Sequence, residues 1–182
     1  MKELSMHVYD LMENATEAQS TVLFLNIEDL LSQNLFRFTI EDNGKGMSPE
    51  FLSMVADPYT TSRTTRKVGL GIPLVKMNCE RCDGGMLVKS QVGKGTVLTF
   101  WFRHDHWDRP PMGDLPGDLV MFLSQHEDVH IVVTYTTDNG RYVLDSEELK
   151  EALDGMSMND NSIIRFVKEM VAWNLVRIGA NE

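Results

Sequence analysis

The stretch VGLGIPLVK, from Val68 to Lys76, places two glycines one residue apart ahead of an apolar run that has helical character. Pro73 falls in the first turn of this predicted helix, where proline is tolerated because first-turn N–H groups have no intrahelical partner. Glycines at a helix start have two explanations. They can reverse the chain, or they can leave backbone N–H groups bare to bind a phosphate, which the helix dipole also favours.

The composition argues against two classes of partner. The chain has 182 residues, with 27 acidic and 17 basic side chains, and its formal net charge is −10. Nucleic-acid backbones are bound by clustered cations, so we expect no nucleic-acid partner. Since no run approaches the roughly 18 apolar residues of a membrane span, we expect no membrane partner. The N-terminus carries acids and lacks the apolar centre of a signal peptide, which favours a cytoplasmic location.

Hydrophobic periodicity predicts alternating helices and strands over the first part of the chain. A helix is predicted over residues 2–19, followed by strands over 20–27 and 34–42. A glycine-containing loop then leads into a short helix capped by Ser48, and the helix quoted above runs to about Cys82. Two further strands are predicted on either side of a Gly-Lys-Gly turn.

A second, smaller unit is predicted beyond a proline-rich linker. The linker, residues 105–115, lies in a stretch that holds three of the six prolines. Residues 116–182 predict a helix over 116–125, a hairpin with an Asn-Gly turn, a capped helix and a closing amphipathic helix. We interpret them as a small α+β unit whose role the sequence does not indicate.

Some conspicuous side chains have ordinary explanations. Cys79 and Cys82 form a CxxC pair, but structural zinc normally takes four ligands, so we expect two reduced thiols near a packed helix. His104 and His106 lie two residues apart without a partner cluster, which favours a surface strand end over a metal site. Trp173 is expected to fill the core.

Four short motifs occur in order within residues 10–96: DLMENA, DNGKGM, GLG and GKGT. Together they resemble the GHKL superfamily of ATP-binding domains, which includes DNA gyrase, heat-shock chaperone ATPases, sensor histidine kinases and MutL repair proteins. The resemblance covers residues 1–104 and favours the histidine-kinase-like and anti-sigma-factor-kinase-like members. It implies an α/β fold, an α+β two-layer sandwich with a helix layer on a mixed β-sheet and an ATP lid. It also implies ATP and Mg²⁺ as ligands.

On the first helix, the resemblance assigns Asn14 to Mg²⁺, and an amide oxygen suits the preference of this ion for oxygen ligands. Asp10 lies one turn earlier on the same face and matches the position of the general base. Histidine kinases usually carry asparagine there, whereas ATPases and kinases that act on hydroxyl groups carry an acid. The acid here is shorter than the usual glutamate. His7, a further turn ahead, can orient Asp10 or make a partly buried polar contact.

The DNGKGM and GKGT motifs match the part of the superfamily site that binds adenine. Asp42 matches the aspartate that accepts a hydrogen bond from the adenine amino group. Gly44 and Gly46 let the backbone approach the base, and Met47 would lie against the ring. Thr96 would bond near the adenine, directly or through water. A strand that ends in Asp-Asn-Gly is also an ordinary turn signal.

Residues 57–68 take the place of the ATP lid. Three cations against one acid give this segment a net charge of +2 within an acidic chain, which suits a triphosphate but is also typical of a solvated loop. Lys67 stands where many members have a further glycine. In the lid and the glycine pair after it, the resemblance assigns nucleotide contacts to Thr61, Arg63, Lys67, Gly69, Leu70 and Gly71.

The resemblance implies an ATPase or protein kinase that transfers the γ-phosphate to water or to a partner protein, with Asp10 as general base. Two alternatives stay open at this point: an ATP-gated interaction module that does not hydrolyse ATP, and a histidine-kinase catalytic domain that acts in trans. The expected partners are ATP and a phosphoacceptor or regulated target protein, and a homodimer is possible. Superfamily members usually place a strand or helix before the first box. Here that cover could come from a second copy, from the C-terminal unit or from a partner.

Overall fold

A computed structural model describes residues 3–55 and 71–180, which form a six-stranded sheet with helices packed against one face. The helices are α1 (Leu4–Glu17), α2 (Pro49–Val55), α3 (Gly71–Arg81), α4 (Leu115–Gln125), α5 (Ser146–Leu153) and α6 (Asn161–Arg177). The strands are β1 (Val22–Leu30), β2 (Leu35–Asp42), β3 (Gly85–Gln91), β4 (Gly95–Arg103), β5 (His130–Thr137) and β6 (Gly140–Asp145).

The strands run in the order β3-β4-β2-β1-β5-β6, and the sheet is mixed. Strands β1 and β5 pair in parallel, whereas the other neighbours are antiparallel. Because the helices cover one face, the architecture is a two-layer sandwich, and the predicted fold class is confirmed. The predicted lid lies outside the described residues.

Each central strand buries alternate residues, and this alternation decides which face the helices cover. Along β2, Phe36, Phe38 and Ile40 are buried, while the residues between them are partly exposed. Phe38 stacks on Phe100 of β4 at 4.8 Å between ring centroids. The opposite face carries polar cross-strand pairs, among them the bidentate ion pair of Arg37 with Glu28 at 2.5 and 2.6 Å. The buried side chains of the sheet therefore lie on one face, while the other face, which also carries Phe24, Leu87 and Val143, is partly exposed.

The predicted C-terminal unit contains the elements expected of it, and they extend the same sheet. Strand β5 lies along β1, with Val22 beside His130, so residues 116–182 and the first hundred residues share one layer of strands. The linker backbone also holds the start of α1, because the Leu4 N–H donates to the Pro111 carbonyl at 2.9 Å. The cover over the first helix therefore comes from the C-terminal part of this chain. The division of roles between 1–104 and 116–182 stays a prediction.

Helix α4 is fixed to α1 by two side-chain hydrogen bonds. The Tyr9 hydroxyl donates to Gln125 at 2.8 Å, and the His126 ring donates to the Glu13 carboxylate at 2.8 Å. The ring of Tyr9 also packs edge-on against Phe122. These contacts place the C-terminal half of the chain directly on the helix that carries the first motif.

His104 is not at a surface strand end, and the prediction for this residue was wrong. Its side chain is 7% exposed, and its Nε2 donates to Asp29 Oδ1 at 2.6 Å. The Tyr135 hydroxyl donates to the other carboxylate oxygen at 3.2 Å, and Arg109 Nε donates to the His104 carbonyl at 2.8 Å. The cluster joins β1, β5 and the segment after β4, and local sequence patterns cannot show it because its members are far apart in the chain.

Two further side chains can be compared with their predictions. Cys79 and Cys82 are buried free thiols at the end of α3 and just after it, as expected for a packed helix, and burial raises the pKa of Cys79 to about 12. Trp173 does not fill the core: it is 60% exposed on the outer side of α6 and carries Arg177 over its ring at 4.6 Å. No helix within 3–55 and 71–180 combines the length and apolarity required to cross a bilayer.

His7 connects α1 to α3. Its side chain is 1% exposed, and its Nε2 accepts a hydrogen bond from the Asn78 amide at 3.0 Å. Burial lowers the pKa of His7 from 6.5 to about 4, so the imidazole is neutral at physiological pH. The hydrogen bond of this ring thus runs to α3 and not to Asp10.

The buried cluster predicts that Tyr135→Phe destabilises the fold by about 1–2 kcal/mol, since it removes a hydrogen bond to a buried carboxylate. Tyr142→Phe is the matched control, because Tyr142 pairs with Tyr135 across β5 and β6 and its hydroxyl has no hydrogen bond within the described residues. Urea unfolding of both variants measures the difference. Equal shifts of the midpoint would contradict the assigned role of the cluster.

The lowered pKa of His7 predicts a specific loss of stability in acid. The unfolded chain takes up a proton near pH 6.5, whereas the folded chain resists it down to about pH 4. The contribution of His7 is therefore complete above pH 6.5 and is lost as the pH falls towards 4, by at most about 1.4 kcal/mol per pH unit. Unfolding of the wild type and His7→Leu across this range isolates it, since the carboxylates titrate in both proteins. An NMR titration showing His7 protonated at pH 6 would refute the assignment.

Candidate functional site

Asp10 and Asn14 lie on the part of α1 that faces the start of α3. A methyl group built on Gly71, the first residue of α3, would lie 3.7 Å from Asn14 Nδ2 and 3.9 Å from Asp10 Cβ. These are ordinary van der Waals distances, so no side chain separates the first turn of α3 from the two polar residues. Three of the predicted site residues are therefore brought together at one end of the helix layer.

The carboxyl group of Asp10 is half-buried in this position. Burial raises its pKa above the ordinary value, while the N-terminus lowers it and Glu13 raises it. A raised pKa makes a carboxylate a stronger base, because the best general bases have a pKa near the working pH. The pKa of Asp10 is thus shifted in the direction that favours proton abstraction.

Two glycines permit the loop after β2 to pack against the turn between β3 and β4. A Cβ on Gly46, where φ is +64°, would lie 2.0 Å from the Gln91 carbonyl oxygen. A Cβ on Gly95, where φ is +105°, would lie 1.9 Å from the Asp42 carbonyl oxygen. Both positions exclude any other residue, because of the positive φ and because of the close backbone approach. The DNGKGM and GKGT motifs are thereby held together.

Asp42 ends β2 opposite Thr96, the second residue of β4. Asp42 Oδ1 accepts a hydrogen bond from the Gly44 N–H at 2.8 Å. Burial raises the pKa of this carboxyl group, and the hydrogen bonds from the backbone of Gly44 and Thr96 oppose that shift. Met47 is partly buried against the core beside the same loop. Five predicted residues, namely Asp42, Gly44, Gly46, Met47 and Thr96, therefore form a second group.

Ser90 connects the members of this second group, and sequence analysis missed it. Its Oγ accepts from the Met47 N–H at 2.9 Å and lies 2.9 Å from both the Gly95 carbonyl and the Thr96 hydroxyl. A serine on a predicted strand carries no signal by itself. The alternation along β3, which places Ser90 opposite Thr96, was the one pattern that could have indicated it.

Asn43 and Ala18 connect the second group to α1. Asn43 Oδ1 accepts from the Thr21 and Val22 N–H groups at 2.8 and 3.0 Å, where the chain leaves the helix for β1. The Lys45 N–H donates to the Ala18 carbonyl at 2.9 Å. Since Ala18 follows Asn14 by one turn, the two groups of site residues share one helix as their frame.

Five of the predicted nucleotide contacts lie outside the described residues: Thr61, Arg63, Lys67, Gly69 and Leu70. Their roles stay predictions. Within 3–55 and 71–180, no three His, Cys, Asp or Glu side chains are grouped so that they could hold a metal ion.

Comparison of the sequence with known proteins shows the family to which this chain belongs. The profile of the histidine kinase-, DNA gyrase B- and HSP90-like ATPases matches residues 2–106. The sensor histidine kinase ZraS of Salmonella typhimurium is 40% identical over 63 residues, which are 35% of this chain and 13% of that protein. The sensor protein kinase FleS of Pseudomonas aeruginosa is 34% identical over 92 residues, 50% of this chain and 23% of that one. The chain thus spans less than a quarter of the length of these relatives.

The fold also resembles a solved structure. The N-terminal domain of a DNA repair protein superposes with a TM-score of 0.58 at 14% identity, covering 80% of this chain and 53% of that one. This likeness extends beyond residue 106 and concerns the fold alone. Since the family profile covers more than half of the sequence, the chain belongs to the histidine kinase-, DNA gyrase B- and HSP90-like ATPases.

Proposed function

We propose that this protein binds Mg-ATP and transfers the γ-phosphate to water or to a hydroxyl group of a partner protein, with Asp10 as the general base. The observation that carries the proposal is the proximity of Asp10 and Asn14 to the first turn of α3, where a Cβ added to Gly71 would lie 3.7 Å from Asn14 Nδ2. A helix start binds phosphate through its unpaired N–H groups, so a nucleotide bound there would have its phosphates beside both side chains.

The described residues fit Mg-ATP at both ends of the molecule. Asn14 offers an amide oxygen for Mg²⁺, and Asp42 offers a half-buried carboxylate for the adenine amino group. When bound, Mg²⁺ would neutralise charge on the phosphates and orient them. The basic segment 57–68, with a net charge of +2, would add cations around the triphosphate.

Asp10 would accept the proton of the attacking oxygen. Its raised pKa supports this role, and its position one turn from Asn14 would put the base next to phosphates bound to Mg²⁺. The short side chain favours an acceptor that approaches α1 closely. We also propose that a phosphoacceptor or regulated target protein is the partner of this chain and that the protein works in the cytoplasm.

Transfer to a histidine of a partner protein is a second candidate, because the relative ZraS is a sensor histidine kinase. An imidazole nucleophile needs no proton removed. The two candidates therefore differ in their need for the carboxylate of Asp10.

Incubation with γ-labelled Mg-ATP distinguishes them. We expect Asp10→Asn to reduce phosphate release or protein labelling by about 10²–10⁴-fold, the usual contribution of a general base, while nucleotide binding persists. Asn14→Ala should instead weaken binding. Glu17→Gln, an exposed acid on the same helix, is the control and should behave as the wild type.

Labelling of a lysate protein that survives Asp10→Asn and is acid-labile would favour a histidine acceptor. Tight binding of Mg-ATP by the wild type, with neither phosphate release nor labelling, would contradict phosphotransfer and leave an ATP-gated interaction module.

Gly71→Ala tests the phosphate site without disturbing the fold. Among residues 3–55 and 71–180, outside its own helix, the added methyl group meets no atom closer than 3.7 Å, so we expect unchanged stability or a gain of about 0.4–1 kcal/mol. It would occupy the space between α3 and Asn14, and ATP affinity should fall roughly tenfold or more, which corresponds to about 1.4 kcal/mol. Calorimetric titration measures this effect. Adenosine, which has no phosphates, is the control ligand and should bind equally to both proteins. Equal ATP affinities would contradict the placement of the phosphates.

A further inference from the structure

The contact between α1 and α3 has polar groups at both ends and apolar ones between them. At one end, the Asn78 amide donates to His7 Nε2 at 3.0 Å. At the other end, a Cβ added to Gly71 would lie 3.7 Å from Asn14 Nδ2, so the backbone of Gly71 is close to the Asn14 amide. His7 precedes Asn14 by seven residues, and Gly71 precedes Asn78 by seven residues. The helices are therefore antiparallel, and the two contacts lie two turns apart, roughly 10 Å along the axis.

The interior of this contact holds apolar side chains that do not specify an axial position. Leu11 lies between His7 and Asn14 at helical spacing on α1, Val75 lies between Gly71 and Asn78 on α3, and both side chains are buried. Apolar burial is non-directional, so a small slide of α3 along α1 would preserve most of it. A hydrogen bond is directional and is lost within a fraction of a helical turn. A buried polar group that fixes register is a well-attested use of such a pair.

His7 has no alternative partner among the described residues. Its side chain is almost completely buried, and its Nδ1 has no hydrogen bond within residues 3–55 and 71–180. Losing the contact with Asn78 would therefore leave the second ring nitrogen buried without a partner as well. A slide of α3 by one residue, roughly 1.5 Å, would already incur this cost.

We propose that His7 and Asn78 are positioning residues for the nucleotide: their hydrogen bond fixes the axial register of α3 against α1 and so holds the phosphate-binding turn at Gly71 beside Asp10 and Asn14. This role rests on the proposed function, because it concerns the same site. Neither residue touches the nucleotide. They act through the position of a helix.

The test separates register from stability with four variants. His7→Leu and Asn78→Leu each break the bond, and the double variant His7→Leu/Asn78→Leu replaces it with an apolar pair. His7→Gln is the conservative variant, since its amide can still bond to Asn78. We expect both single Leu variants to bind ATP at least tenfold more weakly. The double variant should recover the unfolding midpoint of the wild type but not its affinity for ATP, and His7→Gln should recover most of the affinity.

A second measurement needs no nucleotide. The proximity of Gly71 to the Asn14 amide predicts an NMR cross-peak between the Gly71 α-protons and the Asn14 side-chain amide protons. The cross-peak should be present in the wild type and His7→Gln and absent from the double Leu variant. A double Leu variant that keeps the cross-peak, or that binds ATP as the wild type does, would overturn the proposal. If the wild type fails to bind ATP while the cross-peaks follow the expected pattern, the proposed function fails and the control of register stands.

Discussion

The structure depends on one constraint: a sheet that is apolar on one face must be covered on that face. Phe38 and Phe100, stacked at 4.8 Å, lie at the centre of the buried surface. Burying a side chain of this size contributes about 1.5–3 kcal/mol to the stability of the fold. The inward-facing residues that alternate along the strands therefore stabilise the packing of the helices on the sheet. Helix α1 is part of that layer. The polar residues Asp10 and Asn14 are therefore positioned by the packing of the buried apolar residues on the same helix.

The site uses backbone geometry more than side-chain chemistry. Gly46 and Gly95 allow two loops to touch where any side chain would intervene, and Asn43 ties the first of these loops to the end of α1. The result is a frame in which a carboxylate and an amide lie at one end, and a half-buried carboxylate at the other. Such a frame can hold a ligand whose two ends differ in chemistry, as those of a nucleotide do.

Local sequence patterns predicted the elements well, because periodicity and capping are local properties. The helices, the strands and the glycines of both loops were all found in this way. Contacts between distant segments were not. The burial of His104 depends on Asp29, 75 residues earlier, and the pairing of β5 with β1 depends on no motif in either strand. The bridging role of Ser90 and the bond between His7 and Asn78 escaped notice for the same reason.

The parallel pairing of β1 with β5 has a consequence for how the protein is made. His130 lies beside Val22 although it follows Val22 by 108 positions, so two strands that are distant in the sequence are neighbours in the sheet. Contacts of such large sequence separation form slowly, because the chain loses entropy in closing the loop before it gains the favourable energy of the contacts. During synthesis, α1 can pack against α4 only after α4 itself and all the residues between the two helices have been made. The contacts of Tyr9 with Gln125 and of Glu13 with His126 are therefore late contacts in folding, and the helix that carries Asp10 and Asn14 is fully fixed only when they form.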